Sequence, residues 1–537
     1  MKVRIVQGKP TIGNVELNLA KILSEMEIAF KENTDFIVFP ELFLTGYPLE
    51  DRIFLEDLKV QVKLGIKKIL KISLNFENLH ILLPTPLFQK SVFNAVLLIK
   101  NGKILQTVKK LCLPNYGVFD EKRYFQIGTK PKIFKFKNEK ILISICEEIW
   151  NEDYIKLAKK LKPDFIFSVN ASPFEVGKFE KRLEKALGLK AQIIYVNQVL
   201  GYDEIIFDGR SFAISEAGEI LLELPVFKEV SCSFDFTKTK ILPALSDLDL
   251  LYKALVFGLS EYIANNGFKG IVLGLSGGID SALCAKIALD AVGSENVLPV
   301  FLPSKISSNE SKKDALEFIK LNSLVAKEIP ISEIILACQK SLGNLSGLSN
   351  QNLQSRIRGN ILMALSNETG KMLITTGNKS ELAVGYCTIY GDMNGGFNPI
   401  KDLFKTQIFE LCHFLNTKEK VFPLNMLQKA PTAELEAGQT DETSFGMPYL
   451  ALDFILKLII EEKIATKELE NLVSQNALNE VNKFRKANKM STLTSKEAVK
   501  NVQTMLQKAQ FKREQAVVGT KISTVSFGRD WRFGATF

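Results

Sequence analysis

Three residues in the first half of the chain have types that together could do acyl-transfer chemistry. They are Glu41 in "FIVFPELFLTGYP", Lys110 in "TVKKLCLPNYGVFDEKRYF" and Cys146 in "ILISICEEIW". A cysteine attacks as its thiolate. A lysine ammonium can lower the thiol pKa and later hold an oxyanion, and a glutamate can carry the proton. Local charge works against Cys146, because Glu147 and Glu148 follow it directly and like charges disfavour a thiolate. Those carboxylates are therefore expected to point away from the sulfur, or at least one to pair with a base. Taken singly, each residue has an ordinary reading: a packed thiol, a capping glutamate, a surface lysine. It is the ordered triple that points to chemistry.

Histidine chemistry has little room. The chain holds two histidines, His80 and His413, so a Cys-His or Ser-His-Asp site has few candidates and a multi-histidine metal centre is nearly excluded. Proton transfer falls to Glu, Asp or Lys. Seven cysteines, none in a CxxC pair, argue against a disulfide framework or structural zinc and fit a reducing compartment.

The second half offers a phosphate site. "GIVLGLSGGIDSALCAKIALDAV" reads as strand, glycine turn, helix. Gly277 and Gly278 permit a turn that gathers backbone N–H groups at a helix N-terminus, an anion nest. The loop lacks the lysine of GxxxxGK[ST], so it is not a Walker A loop. Asp280 stands at its mouth, where a carboxylate could hold magnesium between phosphates.

These residues need elements to position them. "FIVFP", "LHILLP", "AVLLIK", "KILISI", "DFIFSVN" and "AQIIYVNQ" are strand candidates, and "ELNLAKILSEMEIAFKEN" has helical spacing. Strands alternating with helices predict a layered α/β domain. "FTKTKILPALSDLD" reads as a linker. After it come the helix candidate "LDLLYKALVFGLSEYIANN", the phosphate loop, the strands "VLPVFLP" and "KMLITTGN", and a helix-rich final hundred residues. The expected domains are 1–240 and 241–537. A length of 537 residues agrees with at least two cores. The "MKVRIVQGKP" start is a strand pattern rather than a signal peptide, no apolar run reaches the roughly 18 residues of a membrane helix, and a cytoplasmic protein is expected. The net charge of +9 is spread along the chain, so no nucleic-acid footprint is expected.

The SGGxDS string resembles the PP-loop of ATP pyrophosphatases, which split ATP to AMP and pyrophosphate. "QNLQSRIRGNILM", "TTGNKSELAVGYCTIYGD", "PIKDLFKTQIFEL", "PTAELEAGQTDE" and "FKREQ" then follow in the order of the NAD synthetases. The Glu, Lys, Cys order of the first half resembles the nitrilase, or carbon–nitrogen hydrolase, superfamily. "LPNYGVFDE", "NASPF" and "FDGRS" are closer still to the glutaminase domain of glutamine-dependent NAD synthetases. The resemblance implies a nitrilase-like αββα sandwich followed by a Rossmann-like PP-loop domain. It implies ATP-dependent amidation of deamido-NAD through an adenylate, with AMP and pyrophosphate released and ammonia drawn from glutamine along a shielded passage. The implied ligands are deamido-NAD, ATP, glutamine and Mg2+, and the implied assembly is a homo-oligomer. Other PP-loop amidotransferases, GMP- or asparagine-forming, fit less well. Neither histidine has suitable motif company for the first, and position 2 is Lys2 rather than the cysteine of the second.

The resemblance also implies roles. Glu41, Lys110 and Cys146 are catalytic, with Glu121 supporting Lys110. Tyr116, Ser172 and Arg182 orient glutamine, and an arginine suits its α-carboxylate. Gly274, Leu275, Ser276, Gly277, Gly278, Ile279, Asp280, Ser281, Thr376, Lys405 and Thr432 bind ATP. Asn352, Glu381, Tyr386, Cys387, Thr388, Ile389 and Lys512 bind deamido-NAD, and Asp280 and Glu381 hold magnesium. The chain departs from the family at Tyr202, where glutamine is expected, at Val517, where proline is expected, and at Ile389, where relatives can carry lysine.

Overall fold

The computed structural model describes every residue except 238, 240, 344, 433–439 and 535–537. The chain divides into two compact units. Met1–Gly201 and Ile206–Leu245 form the first; Tyr202–Ile205 and Ser246–Phe537 form the second.

The first unit holds two six-stranded sheets. In chain order its strands are β1 (Val3–Gln7), β2 (Phe36–Val38), β3 (His80–Phe88), β4 (Val92–Lys100), β5 (Lys103–Lys109), β6 (Ile133–Phe136), β7 (Glu139–Ile145), β8 (Phe165–Asn170), β9 (Gln192–Asn197), the hairpin strands β10 (Val199–Tyr202) and β11 (Ile205–Asp208), β12 (Phe212–Ile214), β13 (Ile220–Glu223) and β14 (Val230–Phe234). One sheet runs β14-β1-β2-β3-β4-β5 and the other β13-β12-β9-β8-β7-β6. Alternation along each strand explains the sandwich. Ile141, Ile143 and Ile145 of β7 meet Val3, Ile5, Phe36, Val38, Val96 and Leu98 of the facing sheet in one buried cluster. Leu142 of β7 points the other way, under Tyr154, Ala158, Phe179 and Ala186 of the helices Glu152–Leu161 and Lys178–Leu187. On the first sheet's side lie the helices Val15–Lys31 and Glu56–Ser73. The architecture is the expected αββα sandwich.

His80 belongs to this core. It is 3% exposed and its ring stacks on Phe36 at 4.7 Å. Burial holds its pKa down at about 4, so it is a neutral packing residue. His413 lies exposed on the helix Lys405–Lys418.

The second unit is built on a parallel four-stranded sheet, β17 (Lys327–Glu328), β16 (Val297–Phe301), β15 (Ile271–Gly274) and β18 (Met372–Leu373), in that order. β18 is shorter than the "KMLITTGN" run suggests: the Ile374 N–H still bonds the Val272 carbonyl at 3.0 Å, and Ile374, Thr375 and Thr376 line the site described below. The helices Asp247–Asn265 and Ile279–Val292 are the two expected from the sequence. The helices between Tyr449 and Arg513 share one apolar cluster with Leu382, Ala383 and Phe404. No helix among the described residues is long and apolar enough to cross a membrane.

Candidate active sites

In the first unit, three strand ends deliver three reactive groups to one buried point. Glu41 follows β2, Lys110 follows β5, and Cys146 follows β7 at the start of a 3-10 turn, Cys146–Trp150. Cys146 has φ of +44°, a left-handed conformation that non-glycine residues rarely adopt, so its corner is held by its surroundings. Glu41 and Lys110 are each fully buried. Lys110 Nζ lies 2.7 Å from Glu41 Oε1 and 2.8 Å from Glu121 Oε1. Asn94 Nδ2 donates to Glu41 Oε1 at 2.7 Å, the Ala171 N–H donates to Glu41 Oε2 at 3.1 Å, and the Tyr47 hydroxyl donates to Glu121 Oε1 at 3.0 Å. A buried ammonium between two carboxylates meets the rule that buried charge must be paired.

The electrostatics make the resting thiol neutral. Burial and the Glu41 charge push the Cys146 thiol well above its ordinary value; Lys110 pulls it down, and Glu147 and Glu121 add to the rise. Lys110 thus acts in the expected direction without winning alone. Burial opposes its own charge, yet Glu121 and Glu41 outweigh that and raise the Lys110 pKa well above normal. Glu121, disfavoured as an anion by burial and helped by Lys110, sits at about 7. A neutral thiol beside a carboxylate and an ammonium is a geometry in which proton transfer to Glu41 and attack on a carbonyl can be concerted.

The two glutamates after Cys146 have separate partners. Glu148 is 1% exposed; its Oε1 accepts the Leu111 N–H at 2.8 Å and its Oε2 the Ile145 N–H at 2.7 Å. One carboxylate therefore ties the residue after Lys110 to the residue before Cys146. Burial raises its pKa to about 7 against those two donors. Glu147 accepts the Tyr116 hydroxyl at 2.9 Å. Tyr116 is 58% exposed, whereas Ser172 and Arg182 are buried. Arg182 does not offer an open fork. It pairs with Asp208 at 2.9 Å and donates to Ser172 Oγ and to the Ser172 and Pro173 carbonyls, so it fixes the turn that carries Ser172.

In the second unit a cavity of about 390 Å³ opens over the end of β15. Gly274 to Ser281, Thr376, Lys405 and Thr432 line it, as do Asn352, Glu381, Tyr386, Cys387, Thr388 and Lys512. Ile389 does not; it packs on the neighbouring apolar cluster while its carbonyl accepts from Arg356. Gly277 has φ of +84°, and a Cβ there would fall 2.2 Å from the Ser311 carbonyl oxygen, so only glycine fits. The loop is braced from within. Ser276 Oγ accepts the Gly278 N–H at 3.2 Å and lies 3.1 Å from Ser281 Oγ.

Across from the loop, Asn378 caps the helix Lys379–Val384, and the Glu381 carboxylate returns to the Asn378 N–H at 3.2 Å. Asn378 Nδ2 also donates to Asp280 Oδ1 at 3.1 Å. The Lys405 ammonium, 2% exposed, bonds Asp280 and lies 3.5 Å from Glu381 Oε1. Burial and the Asp280 and Asp441 charges lift Glu381 to about 8 despite Lys405. Asp280 and Glu381 therefore already converge on one positive point, an arrangement that fits a hard cation. Among the described residues no cluster of three or more His, Cys, Asp and Glu side chains could hold a metal ion. Lys512 Nζ donates to the Gly385 and Cys387 carbonyls at 2.8 and 2.7 Å, and Thr388 donates to Asn352 at 2.9 Å. Arg529 stands 5.9 Å from the Tyr202 ring.

Some lining residues went unremarked in the sequence. Asp441 and Arg358 reach the cavity, and both stood inside quoted motifs, "TDE" and "SRIRGN". Asn94 had a fainter signal, a lone amide inside the apolar run of β4. Residues 433–439 of the "PTAELEAGQTDE" motif lie outside the described residues.

Comparison with known proteins adds identity to geometry. Residues 2–235 match the carbon-nitrogen hydrolase family and residues 251–492 the NAD synthase family. The chain is 38% identical to a glutamine-dependent NAD(+) synthetase of Synechocystis, over 99% of this chain and 97% of that one. It is 35% identical to that of Thermotoga maritima, over 100% and 98%. The structure of the glutamine-dependent NAD+ synthetase of Acinetobacter baumannii, in complex with ADP, superposes with a TM-score of 0.76 at 34% identity, covering 99% of this chain and 98% of that one.

Proposed function

The chain belongs to the glutamine-dependent NAD(+) synthetases, and on that premise we propose a role for each residue of its two sites. The enzyme amidates deamido-NAD to NAD in an ATP-dependent reaction with glutamine as nitrogen source. In the first unit Glu41 takes the Cys146 proton as the sulfur attacks the glutamine amide carbon. Lys110 steadies the oxyanion. Glu41 then gives the proton to the departing ammonia and activates water against the thioester, releasing glutamate. Glu121 keeps Lys110 in place. Tyr116, with Ser172 on the turn fixed by Arg182, orients glutamine.

In the second unit the loop Gly274–Ser281, Thr376 and Thr432 bind ATP. A nicotinate carboxylate oxygen attacks the α-phosphate, and pyrophosphate leaves past Lys405. Ammonia attacks the adenylate carbon, and AMP leaves. Asp280 and Glu381 would hold Mg2+, which when bound neutralises charge on the phosphates. Asn352, Glu381, Tyr386, Cys387 and Thr388 contact deamido-NAD, with Lys512 bracing that segment. Ile389 is left out of the contact set. The reading includes a homo-oligomer, which the family resemblance implies, and a cytoplasmic setting, supported by seven free thiols.

The observation that carries the proposal is the fully buried Lys110 ammonium held between Glu41 and Glu121. Glutamine labelled with 15N at its amide tests the reading. The label is expected in the nicotinamide amide of NAD; NAD without label, or AMP release only with a different acceptor acid, would reject it.

A further inference from the structure

Two short segments bring Glu381 and Lys405 to the phosphate loop, and one buried carboxylate outside the cavity lining fastens them to each other. Asp453 lies on the helix Tyr449–Ile460 and is 4% exposed. Its Oδ1 accepts the Ser380 hydroxyl at 2.5 Å, and its Oδ2 accepts the Thr406 N–H at 2.9 Å. Ser380 Oγ in turn accepts the Lys405 N–H at 2.9 Å. The chain Lys405 N–H to Ser380 Oγ to Asp453 closes back on Thr406. It joins the first turns of the helices Lys379–Val384 and Lys405–Lys418. Ser380 precedes Glu381, and Thr406 follows Lys405.

We propose that Asp453 is a positioning residue for the ATP-activating site: through Ser380 it sets the distance between Glu381 and Lys405. Three features carry this. A carboxylate at a helix N-terminus satisfies N–H groups that have no partner within the helix, and at Lys405–Lys418 those donors flank the lysine itself. The side chain is buried and does not line the cavity, so its effect on substrate passes through Glu381 and Lys405. The same helix face reaches the site one turn earlier, where Tyr449 donates to Asp441 at 3.1 Å and the Lys405 ammonium lies 5.5 Å from the Tyr449 ring. Asp453 thereby links a supporting helix to both arms of the site.

The inference rests on reading the second unit as the ATP site, and its test separates the two. Asp453→Ala, Asp453→Asn, Ser380→Ala and the Asp453→Ala/Ser380→Ala pair are made in the full chain. Basal glutamine hydrolysis, which uses Cys146 in the other unit, reports folding. Kinetics are read with ammonia as nitrogen donor, and the rise in Tm caused by ADP with Mg2+ is measured in parallel. Asp453→Ala is expected to raise KM for ATP about tenfold, the order expected when buried donors lose their acceptor, and to shrink the ADP-induced rise in Tm. Asp453→Asn, which keeps one acceptor and the shape, recovers most of both. Ser380→Ala resembles Asp453→Ala, and the double variant is no worse than the poorer single, because both act through one chain of bonds. Unchanged KM for ATP and unchanged ADP response in Asp453→Ala or Ser380→Ala overturn the proposal. So do additive losses, or a glutaminase loss as large as the synthetase loss. A wild-type protein whose Tm ignores ADP and which forms no NAD from ammonia refutes the ATP-site reading instead.

Discussion

Replacing Lys110 by methionine removes the positive charge at the centre of the first site and keeps its length. The wild-type ammonium answers two carboxylate oxygens at 2.7 and 2.8 Å in a fully buried setting. Breaking a buried pair by deleting one partner costs about 3–5 kcal/mol. In a unit of this size that lowers Tm by about 6–20 °C. With the cation gone, Glu41 and Glu121 lose the counter-charge between them, and Glu41 loses the ammonium that holds it in place as base. The Cys146 thiol also loses the group that pulls its pKa down. Loss of base and oxyanion support together is expected to lower glutamine hydrolysis by at least about 10³-fold. The assay pairs glutamate release with differential scanning calorimetry, and uses ammonia-dependent NAD formation as the control that the second unit is intact. Lys110→Arg, which keeps the charge, is expected to recover part of the Tm and little of the activity. A Lys110→Met protein that melts like wild type, or hydrolyses glutamine within tenfold of it, would refute the reasoning.

Further expectations follow from other contacts. Glu148 is charged only against burial, with its pKa raised from 4.5 to about 7. Its folded form binds the proton more tightly than its unfolded form, so its contribution to stability is fully present below about pH 4.5 and lost as pH rises through about 7. Glu148→Gln should therefore lose most Tm relative to wild type near pH 5 and less near pH 8; a pH-independent gap between the two would contradict this. The same variant loses one of two backbone acceptor positions and should slow Cys146 alkylation by iodoacetamide, which a merely distant residue would leave alone. Gly277→Ala, which drives a Cβ to 2.2 Å from the Ser311 carbonyl, should abolish the ADP-dependent rise in Tm while glutamine hydrolysis persists; retained ADP binding would show that the loop relaxes at little cost. Lys512→Met removes two charged bonds to the Gly385 and Cys387 carbonyls and should raise KM for deamido-NAD by about tenfold or more, with KM for ATP little changed; equal effects on both would place Lys512 elsewhere in the reaction.

Much of this was legible in the sequence where period and motif coincide. β2, β7, β8 and β9 carry apolar runs buried on both faces, and the strand–turn–helix around Ser276 is written in its glycines. The edge strands β5 and β6 were hidden, because "KILQTVK" and "IFKF" expose much of their length and lack an apolar run. The reactive triple was visible as residue types at strand ends, and its neighbours in space were not. Tyr47 and Asn94 hold Glu121 and Glu41 through contacts 74 and 53 residues apart in sequence, and no local pattern encodes such pairs. Arg182 shows what residue type alone leaves open. Its type suits a substrate carboxylate, and only the fold shows that its guanidinium also bonds Asp208 and the Ser172 and Pro173 carbonyls. The position of the glutamates after Cys146 also needed the fold: the carboxylate that looked hostile to the thiol, Glu148, turns back onto Ile145 and Leu111 and holds the corner together.

The most direct test of the account is NAD formation from deamido-NAD and ATP by wild type and by Cys146→Ala, each supplied with glutamine or with ammonia. Wild type is expected to use either source, and Cys146→Ala to use ammonia alone at an undiminished rate. Glutamine-dependent NAD formation that survives in Cys146→Ala would contradict the assignment of the nucleophile and, with it, the division of the reaction between the two units.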